Sequence, residues 1–578
     1  MNTSDVEDQL QRIIISRPFR ASKRMRRFLE FTVRQVMEGK SGELKEALVG
    51  VEVFDRPADY DPRIDPIVRV EARRLRQKIE QYYASEGARD PVRIEYVKGG
   101  YAPVIAQAAR ETADLPAASL GTIRSVLVLP FVSLGAGTDQ EYFSDGLTQE
   151  LIHAFTRVSG LRVLAWNTSA RLRGKSAQAP DVNEQAQADV IVEGSVRRQG
   201  DRVRVHVQIV EAKSDFYLWT ETFERTLGDL FALQEQIARS IASVLRIQLT
   251  APTAPRPNYR VEAHDFYLRG RHEWFRRTEQ SLRQSIVLFE RAIKEDERCA
   301  PAWAGLADAC SLLADYGFEP TATVIEEGRP AVMRALELDP SLAEAHTSLG
   351  FIKSFFDWDW GAAEQCYRTA IALNPGYVTA HHWYGLDLLA LQGRFDEARV
   401  ELDIAARLDP LEPIILESGP YLSLLCGDFA AAEAGYRKLI ASAPQFTKGY
   451  TGCGRSLWGM GRYAEAIEML EMGRSLSGDV PSVLGALGQV YATAGNEPEA
   501  RRYLAMLYEM SKTRHVPTSC LALVHSGLGE REAALGHLER GVERRELPLN
   551  HMKVHPGYDA LRGEERFQRL LVKMRLVG

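Results

Sequence analysis

The sequence predicts a multidomain, mainly α chain: a helical N-terminal domain, a central α/β domain and a C-terminal α-solenoid. Three observations carry this. Gly393, Gly427, Gly461, Gly495 and Gly529 recur at one constant step, and Ala398, Ala432, Ala466, Ala500 and Ala534 keep the same step. Residues 188–223 alternate at period two between turn signals. The segment 1–110 shows helical periodicity and holds 21 Lys+Arg against 17 Asp+Glu, or +4, whereas the whole chain carries −6, leaving −10 on the remainder. A basic end on an acidic body points to an acidic partner, such as nucleic acid, at that end only.

Composition bounds the rest. Hydrophobic content of 45% and charged content of 26% are those of a globular protein. No run of about 18 apolar residues predicts a membrane span, and the acidic start, Met1 to Asp8, lacks the apolar core of a signal peptide. Cys299, Cys310, Cys366, Cys426, Cys453 and Cys520 all fall in the C-terminal half without a C-x-x-C pair. They read as reduced, small core residues of a cytoplasmic protein.

Helical periodicity opens the N-terminal domain at Leu10, Ile13 and Ile14 and resumes at Phe28, Leu29, Val33 and Val36, with the basic run Arg20 to Arg27 between them. A longer helix is predicted after Asp65, a good N-cap, with Pro66 suited to its first turn. Val68, Ala72, Leu75, Ile79 and Tyr82 step by 4, 3, 4 and 3 along one apolar face. Arg69, Arg73 and Arg76 step by 4 and 3 on another, flanked by Arg74 and Lys78. A helix buried on one side and bearing arginines on the other fits the major groove of DNA; a solvated basic face gives the same pattern. Val92 to Val104 then reads as a β-hairpin, with Gly99-Gly100 supplying a tight turn and Lys98 beside it.

Helix followed by hairpin is the order of a recognition helix and wing. Val68, Val70, Arg73, Arg74, Leu75 and Arg76, with Val97, Lys98, Gly99, Gly100 and Tyr101, resemble the OmpR/CadC type of winged-helix domain over the stretch from Asp65 to Val104. That resemblance implies double-stranded DNA as partner, with Arg69, Arg73, Arg74, Arg76, Lys78 and Lys98 at the interface. The wing is one residue shorter than the family's, and helices over 5–38 replace its opening sheet. Domain 1–106 is therefore winged-helix-like, and the Ala-rich 107–121 is a linker.

In the central domain, Ser125 to Phe131 and Leu161 to Trp166 read as strands around a helix ending near Val158. Ala188 to Arg198, Arg202 to Glu211 and Phe216 to Phe223 read as further strands, with Gln199-Gly200-Asp201 a hairpin turn, and Asp229 to Leu249 as a helix. Asp145-Gly146 is expected to turn the chain and Glu150 to sit on a helix surface. Leu129-Pro130-Phe131, Tyr142 to Leu147 and Val192 to Arg197 resemble the TolB/FlgO-like domain across 122–250. No phosphate-binding, zinc-protease or nucleophile-elbow motif occurs, and Asp145, Glu150 and Glu193 have no metal-binding context, so no catalytic residue, metal or cofactor is expected. A small ligand in this domain stays open. The same module also stands behind nucleotide-cyclase domains in its relatives, but no cyclase domain is present in this sequence.

After a linker at 251–262, the segment 263–545 holds about eight helix pairs. The alanines pack where paired helices touch, the glycines turn between them, and Pro340, Pro375, Pro410 and Pro444 begin new repeats. The step of thirty-four with these residue types is the tetratricopeptide (TPR) period. Asp315 to Thr323 reads as an insertion, and 546–578 as a cap with Phe567, Leu570, Leu571 and Met574 on one face. Trp303, His346, His381 and Tyr450 hold matching places in their repeats and are expected either to line a protein- or peptide-binding groove or to pack. His381-His382 lacks a third ligand at metal spacing.

The fold class is thus helical/winged-helix N-terminal domain, central α/β domain and C-terminal TPR α-solenoid. The order resembles enteric invasion-gene activators, which carry TPRs behind an OmpR-type domain. It implies a cytoplasmic transcriptional regulator that is not an enzyme, able to act as a homodimer although no dimer surface is marked. A TPR scaffold that does not bind DNA, and a signalling protein related to cyclase-associated modules, are the alternatives.

Overall fold

The computed structural model describes residues 3–20, 22–38, 40, 44–57, 60, 67–83, 86–87, 90, 92–96, 101–107, 123–134, 138–158, 160–175, 180–199, 202–212, 217–226, 230–245 and 259–577. They form two compact units, 1–121 and 122–578.

In the first unit, α1 (Thr3–Ile15), α2 (Arg17–Arg20), α3 (Lys23–Met37), α4 (Glu46–Phe54) and α5 (Ile67–Tyr83) surround one core, and β1 (Val92–Tyr96) pairs antiparallel with β2 (Pro103–Gln107). Val68, Ala72, Leu75, Ile79 and Tyr82 of α5 are all at most 3% exposed, so its apolar face is its buried face. Tyr83 joins helix to hairpin: its hydroxyl donates to Val92 O at 3.2 Å and accepts from Ile94 N at 2.8 Å. The Asp65-Pro66 helix start and the Gly99-Gly100 turn lie outside the described residues, as does most of the 107–121 linker.

The second unit begins with a mixed sheet. β3 (Ser125–Val128) lies parallel to β5 (Arg162–Val163) on one side and β6 (Val190–Gln199) on the other. The short β4 (Val132–Ser133) also runs along β6. β7 (Arg202–Glu211) and β8 (Tyr217–Thr226) extend the sheet antiparallel. Val203, Val205, Val207 and Ile209 alternate into a core under α6 (Thr138–Thr156) and α9 (Leu230–Val244); α7 (Trp166–Arg171) and α8 (Pro180–Ala186) complete the domain. The Gly200-Asp201 tip and the ends of the 229–249 helix fall outside the described residues.

Two local expectations give way here. Asp145-Gly146 does not turn the chain; both lie inside α6, where Asp145 is 3% exposed and pairs with Arg173 at 2.7 Å. Gly146 is instead a crossing point, since a Cβ there would come within 2.2 Å of Leu268 Cδ1. The 161–166 strand shortens to Arg162–Val163 because Trp166 opens α7. Asp409 of the solenoid holds that helix start, accepting from Thr168 N at 2.9 Å, Thr168 Oγ1 at 2.7 Å and Asn167 Nδ2 at 3.1 Å.

The solenoid is a run of antiparallel pairs: α10 (Val261–Phe275) with α11 (Glu279–Glu295), α12 (Ala300–Asp315) with α13 (Thr321–Leu338), and α14 (Ala343–Phe351) with α15 (Trp360–Leu373). The next are α16 (Val378–Tyr384) with α17 (Phe395–Leu408), α18 (Pro413–Leu425) with α19 (Phe429–Ser442), and α20 (Thr447–Gly459) with α21 (Tyr463–Ser477). Last come α22 (Pro481–Thr493) with α23 (Glu497–Met510) and α24 (Thr518–Gly527) with α25 (Arg531–Glu543). α14 and α16 each continue into a wider, π-helical turn, Ile352–Asp357 and Gly385–Ala390. The five glycines at the repeat step have φ of 74–82°, where a side chain is strained. The five alanines are fully buried between paired helices. Of the cysteines, four are buried, whereas Cys366 is half-buried and Cys426, next to the Gly427 turn, is exposed.

The α/β domain lies along the solenoid. α6 crosses α10. Gly376 N donates to Thr156 O at 3.2 Å, Ala165 N to Leu408 O at 2.8 Å, and Arg171 pairs with Glu412 at 3.4 Å. These contacts fall on the loops that open successive pairs, which face one way because the repeat does.

Candidate functional site

Among the described side chains of α5, those exposed are Arg69, Val70, Arg74, Gln77 and Gln81. Arg69 Nε lies 3.0 Å from Glu46 and Arg74 Nη1 lies 2.7 Å from Glu71, yet their side chains stay 54% and 64% exposed. Val70, 45% exposed, stands between them. Arg76 is half-buried at the flank. Lys78 turns away from the exposed row: its ammonium donates to Pro18 O on α2 and sits 6.0 Å from the Phe19 ring centre. That removes it from the outward face, because its stem lies over apolar surface and its head finds a carbonyl there. Lys98 and the side chain of Arg73 lie outside the described residues.

The four residues expected at matching repeat positions share one bond. Trp303 Nε1 donates to Glu297 O at 2.9 Å, His346 Nε2 to Pro340 O at 2.9 Å, His381 Nε2 to Pro375 O at 3.0 Å and Tyr450 Oη to Pro444 O at 3.0 Å. Each reaches back to the loop that opens its own pair. His381 Nδ1 also meets Glu401 at 2.6 Å. These bonds tie each of the four to the loop of its own repeat, and they separate His381 from His382, which faces other neighbours.

A different position of the same period faces the C-terminal segment. Asp387, Tyr421, Arg455, Gln489 and Leu523 recur at the repeat step on the first helices of five successive pairs. The C-terminal segment packs along this row. His551 meets the Tyr421 ring at 5.7 Å. Burial, and next the charge of Arg455, hold His555 in its neutral form. A Cβ on Gly557 would come within 2.6 Å of Leu523 and 3.0 Å of Gln489. The constant step is present in the sequence, but the residue types vary along it, so the row carries no repeated chemistry. Near the row, burial and then the charge of Asp315 raise the Asp387 pKa, and the Lys448 ammonium sits 4.9 Å from the Tyr316 ring centre.

α26 (Glu565–Lys573) buries Phe567, Leu570 and Leu571. The rest of the segment does more than cap the last pair. Trp358 Nε1 donates to Asn550 Oδ1 and Trp360 Nε1 to Met574 O, both at 3.0 Å, and Lys553 Nζ donates to Gln392 O at 2.7 Å. Among the described residues no helix is long and apolar enough to cross a membrane.

Comparison with known proteins fits this architecture. Residues 123–240 match the family described as HilA/YgeH-like transcriptional regulator, second domain. Residues 359–413 and 453–514 match the tetratricopeptide repeat. A Rhizobium meliloti (strain 1021) protein named "Putative adenylate cyclase 3" is 32% identical over 232 residues, 39% of this chain and 32% of that protein. Transcriptional regulator HilA of Salmonella typhimurium is 22% identical over 301 residues, 51% of this chain and 52% of that protein. The chain thus spans between a third and about half of the length of these relatives. Among solved structures, yeast Tom70 is 15% identical with a TM-score of 0.35, covering 57% of this chain and 67% of its own. Cut9–Hcn1 is 15% identical with a TM-score of 0.33, covering 60% and 52%. The chain carries a HilA/YgeH-like second domain joined to tetratricopeptide repeats.

Proposed function

We propose that this chain is a transcriptional regulator that binds double-stranded DNA through α5 and a protein or peptide partner through the solenoid, and that it is not an enzyme. The observation that carries the reading is the outward row on α5. Arg69 and Arg74 stay more than half exposed on a helix whose other face is the domain core, with a hairpin packed beside it. Arginines supply charge to phosphates and bidentate bonds to guanine, and an exposed Val70 can meet a thymine methyl. The HilA relatives support the same reading. DNA as partner places the chain in the cytoplasm. The relative named for cyclase activity matches along 32% of its length, and this sequence has no cyclase motif.

The test is the full chain with Arg69→Ala/Arg74→Ala, titrated against duplex DNA by fluorescence anisotropy between about 50 and 200 mM salt. Affinity is expected to fall about tenfold or more, and the log–log salt slope to lose about two units if both arginines reach phosphate. A folded double variant that binds DNA like the parent, or that loses a protein partner instead, overturns DNA binding in favour of a scaffold.

A further inference from the structure

Between the α/β domain and the solenoid lies a cavity of about 990 Å³. Its walls come from two helices in register. On α6, Glu150, His153 and Arg157 share one face at spacings of 3 and 4. Facing them on α10, His264, Tyr267 and Arg271 share one face at spacings of 3 and 4. The opening residues of later pairs close it, with Glu344 from α14 and His382 from α16.

Two carboxylates of this wall have histidines as their ion-pair neighbours. Glu344 Oε1 lies 3.3 Å from His153 Nδ1, and Glu150 Oε1 lies 3.8 Å from His264 Nε2. Burial depresses both imidazoles, His264 to about 4, so both are neutral at pH 7. Among the described residues no arginine or lysine comes within ion-pair distance of either carboxylate. Of the guanidiniums that line the cavity near them, Arg271 pairs with Asp308 at 3.3 Å, Arg157 meets the neutral His153 at Nε2 at 2.9 Å, and Arg277 lies over the Trp274 ring at 4.0 Å. Burial, and then the charge of Glu344, push the Glu150 pKa up to about 7. Three buried polar atoms of the wall also lack a hydrogen-bond partner: Glu344 Oε2, His382 Nε2 and Trp274 Nε1. Native interiors leave few such atoms, because each costs about 1–3 kcal/mol unmade.

The cavity is also aromatic. Tyr259, His264 and Tyr267 form a chain of tilted rings 5.9–6.0 Å apart, and Trp166 and Phe275 add further rings to the wall. Its volume lies at the upper end of the range for small-molecule sites, and such sites favour the junction of two domains.

We infer that this cavity is a ligand site for a small amine on an aromatic body, its ammonium placed between Glu150 and Glu344 and its ring among Tyr259, His264 and Tyr267. The ammonium supplies the cation that the two carboxylates lack and gives Glu344 Oε2 a donor. The aromatic faces add a cation–π attraction. Because the walls belong to two domains, an occupied site ties them together, and ligand binding and domain docking then strengthen each other.

The experiment uses the full chain and isothermal titration calorimetry with tryptamine, indole-3-acetate as the charge-reversed probe, and two variants. One to one binding of tryptamine is expected at a millimolar Kd or tighter, with indole-3-acetate at least about tenfold weaker. Glu344→Gln, which keeps the size of the side chain, should weaken tryptamine at least about tenfold. Ala154→Trp, which fills the cavity from α6, should abolish binding while far-UV circular dichroism is unchanged. If Glu344→Gln does not fold, the Ala154→Trp result and the two-probe comparison still decide. No heat from tryptamine at about 5 mM, several times a millimolar Kd, overturns the inference. So does indole-3-acetate binding as well as the amine, or a folded variant that keeps the parent affinity.

Discussion

Glu150 shows how far one side chain can depart from its local setting. It stands on a helix, polar and flanked by Gln149, and reads as a surface residue. Its carboxyl is instead turned into the interface with α10, and its pKa rises from the ordinary 4.5 to about 7. The sign of the effect follows from linkage. A carboxyl that holds its proton more tightly when folded costs stability as pH climbs from 4.5 through 7, and nothing below 4.5. Glu150→Gln should therefore melt at the parent's temperature near pH 4.5 and above it at pH 8. A shift of this size is worth at most about 3 kcal/mol, and the 30% of the side chain that solvent still reaches reduces it to about 1 kcal/mol. A difference in Tm that stays constant across pH would contradict this origin. Nothing in the local sequence announces the burial, because the groups that bury Glu150, His264 first among them, stand far later in the chain.

At the scale of elements, the parts legible in sequence are those set by short, repeated constraints. A turn that needs positive φ selects glycine, and a helix crossing that excludes a large side chain selects alanine, so both leave a periodic trace. Gly461 isolates the first constraint: its φ is 74° and no atom lies within 4 Å of an added Cβ. Gly461→Ala should cost about 1 kcal/mol purely from the backbone. Gly461→Asn should cost less, since asparagine tolerates the left-handed region. Urea melts of the two variants separate this from a packing effect, which would instead make asparagine the worse. The row at Asp387, Tyr421, Arg455, Gln489 and Leu523 keeps the same step without a common chemistry. Periodicity alone does not say which side of a superhelix a position faces. Likewise Trp303, His346, His381 and Tyr450 stood out by their size and polarity, and those properties serve the carbonyls of the preceding loop.

At the scale of the second unit, two long-range ties shape the solenoid. One is the α/β domain strapped across the loops at Gly376 and Asp409. The other joins Asn550 and Met574 to Trp358 and Trp360. Neither was legible in sequence, since each joins segments far apart in the chain through bonds that no spacing encodes. Helix pairs in an open array behave nearly one-dimensionally, each supported only by its neighbours. The second tie changes the mechanics of such an array. An open solenoid is a spring that lengthens as its pairs tilt apart, whereas a strap from its end to its middle bears the load first. Pulled from residue 358 and the C-terminus, the chain should stay stiff until the strap gives way in one event. It should then extend in a series of smaller steps as pairs unravel. Trp360→Ala should lower the force of that first event and leave the later steps in place; a trace without a distinct first rupture would show that the strap carries no load. The fold thereby makes the stretch 358–574 resist tension as a clasped loop, with the clasp at two indole nitrogens.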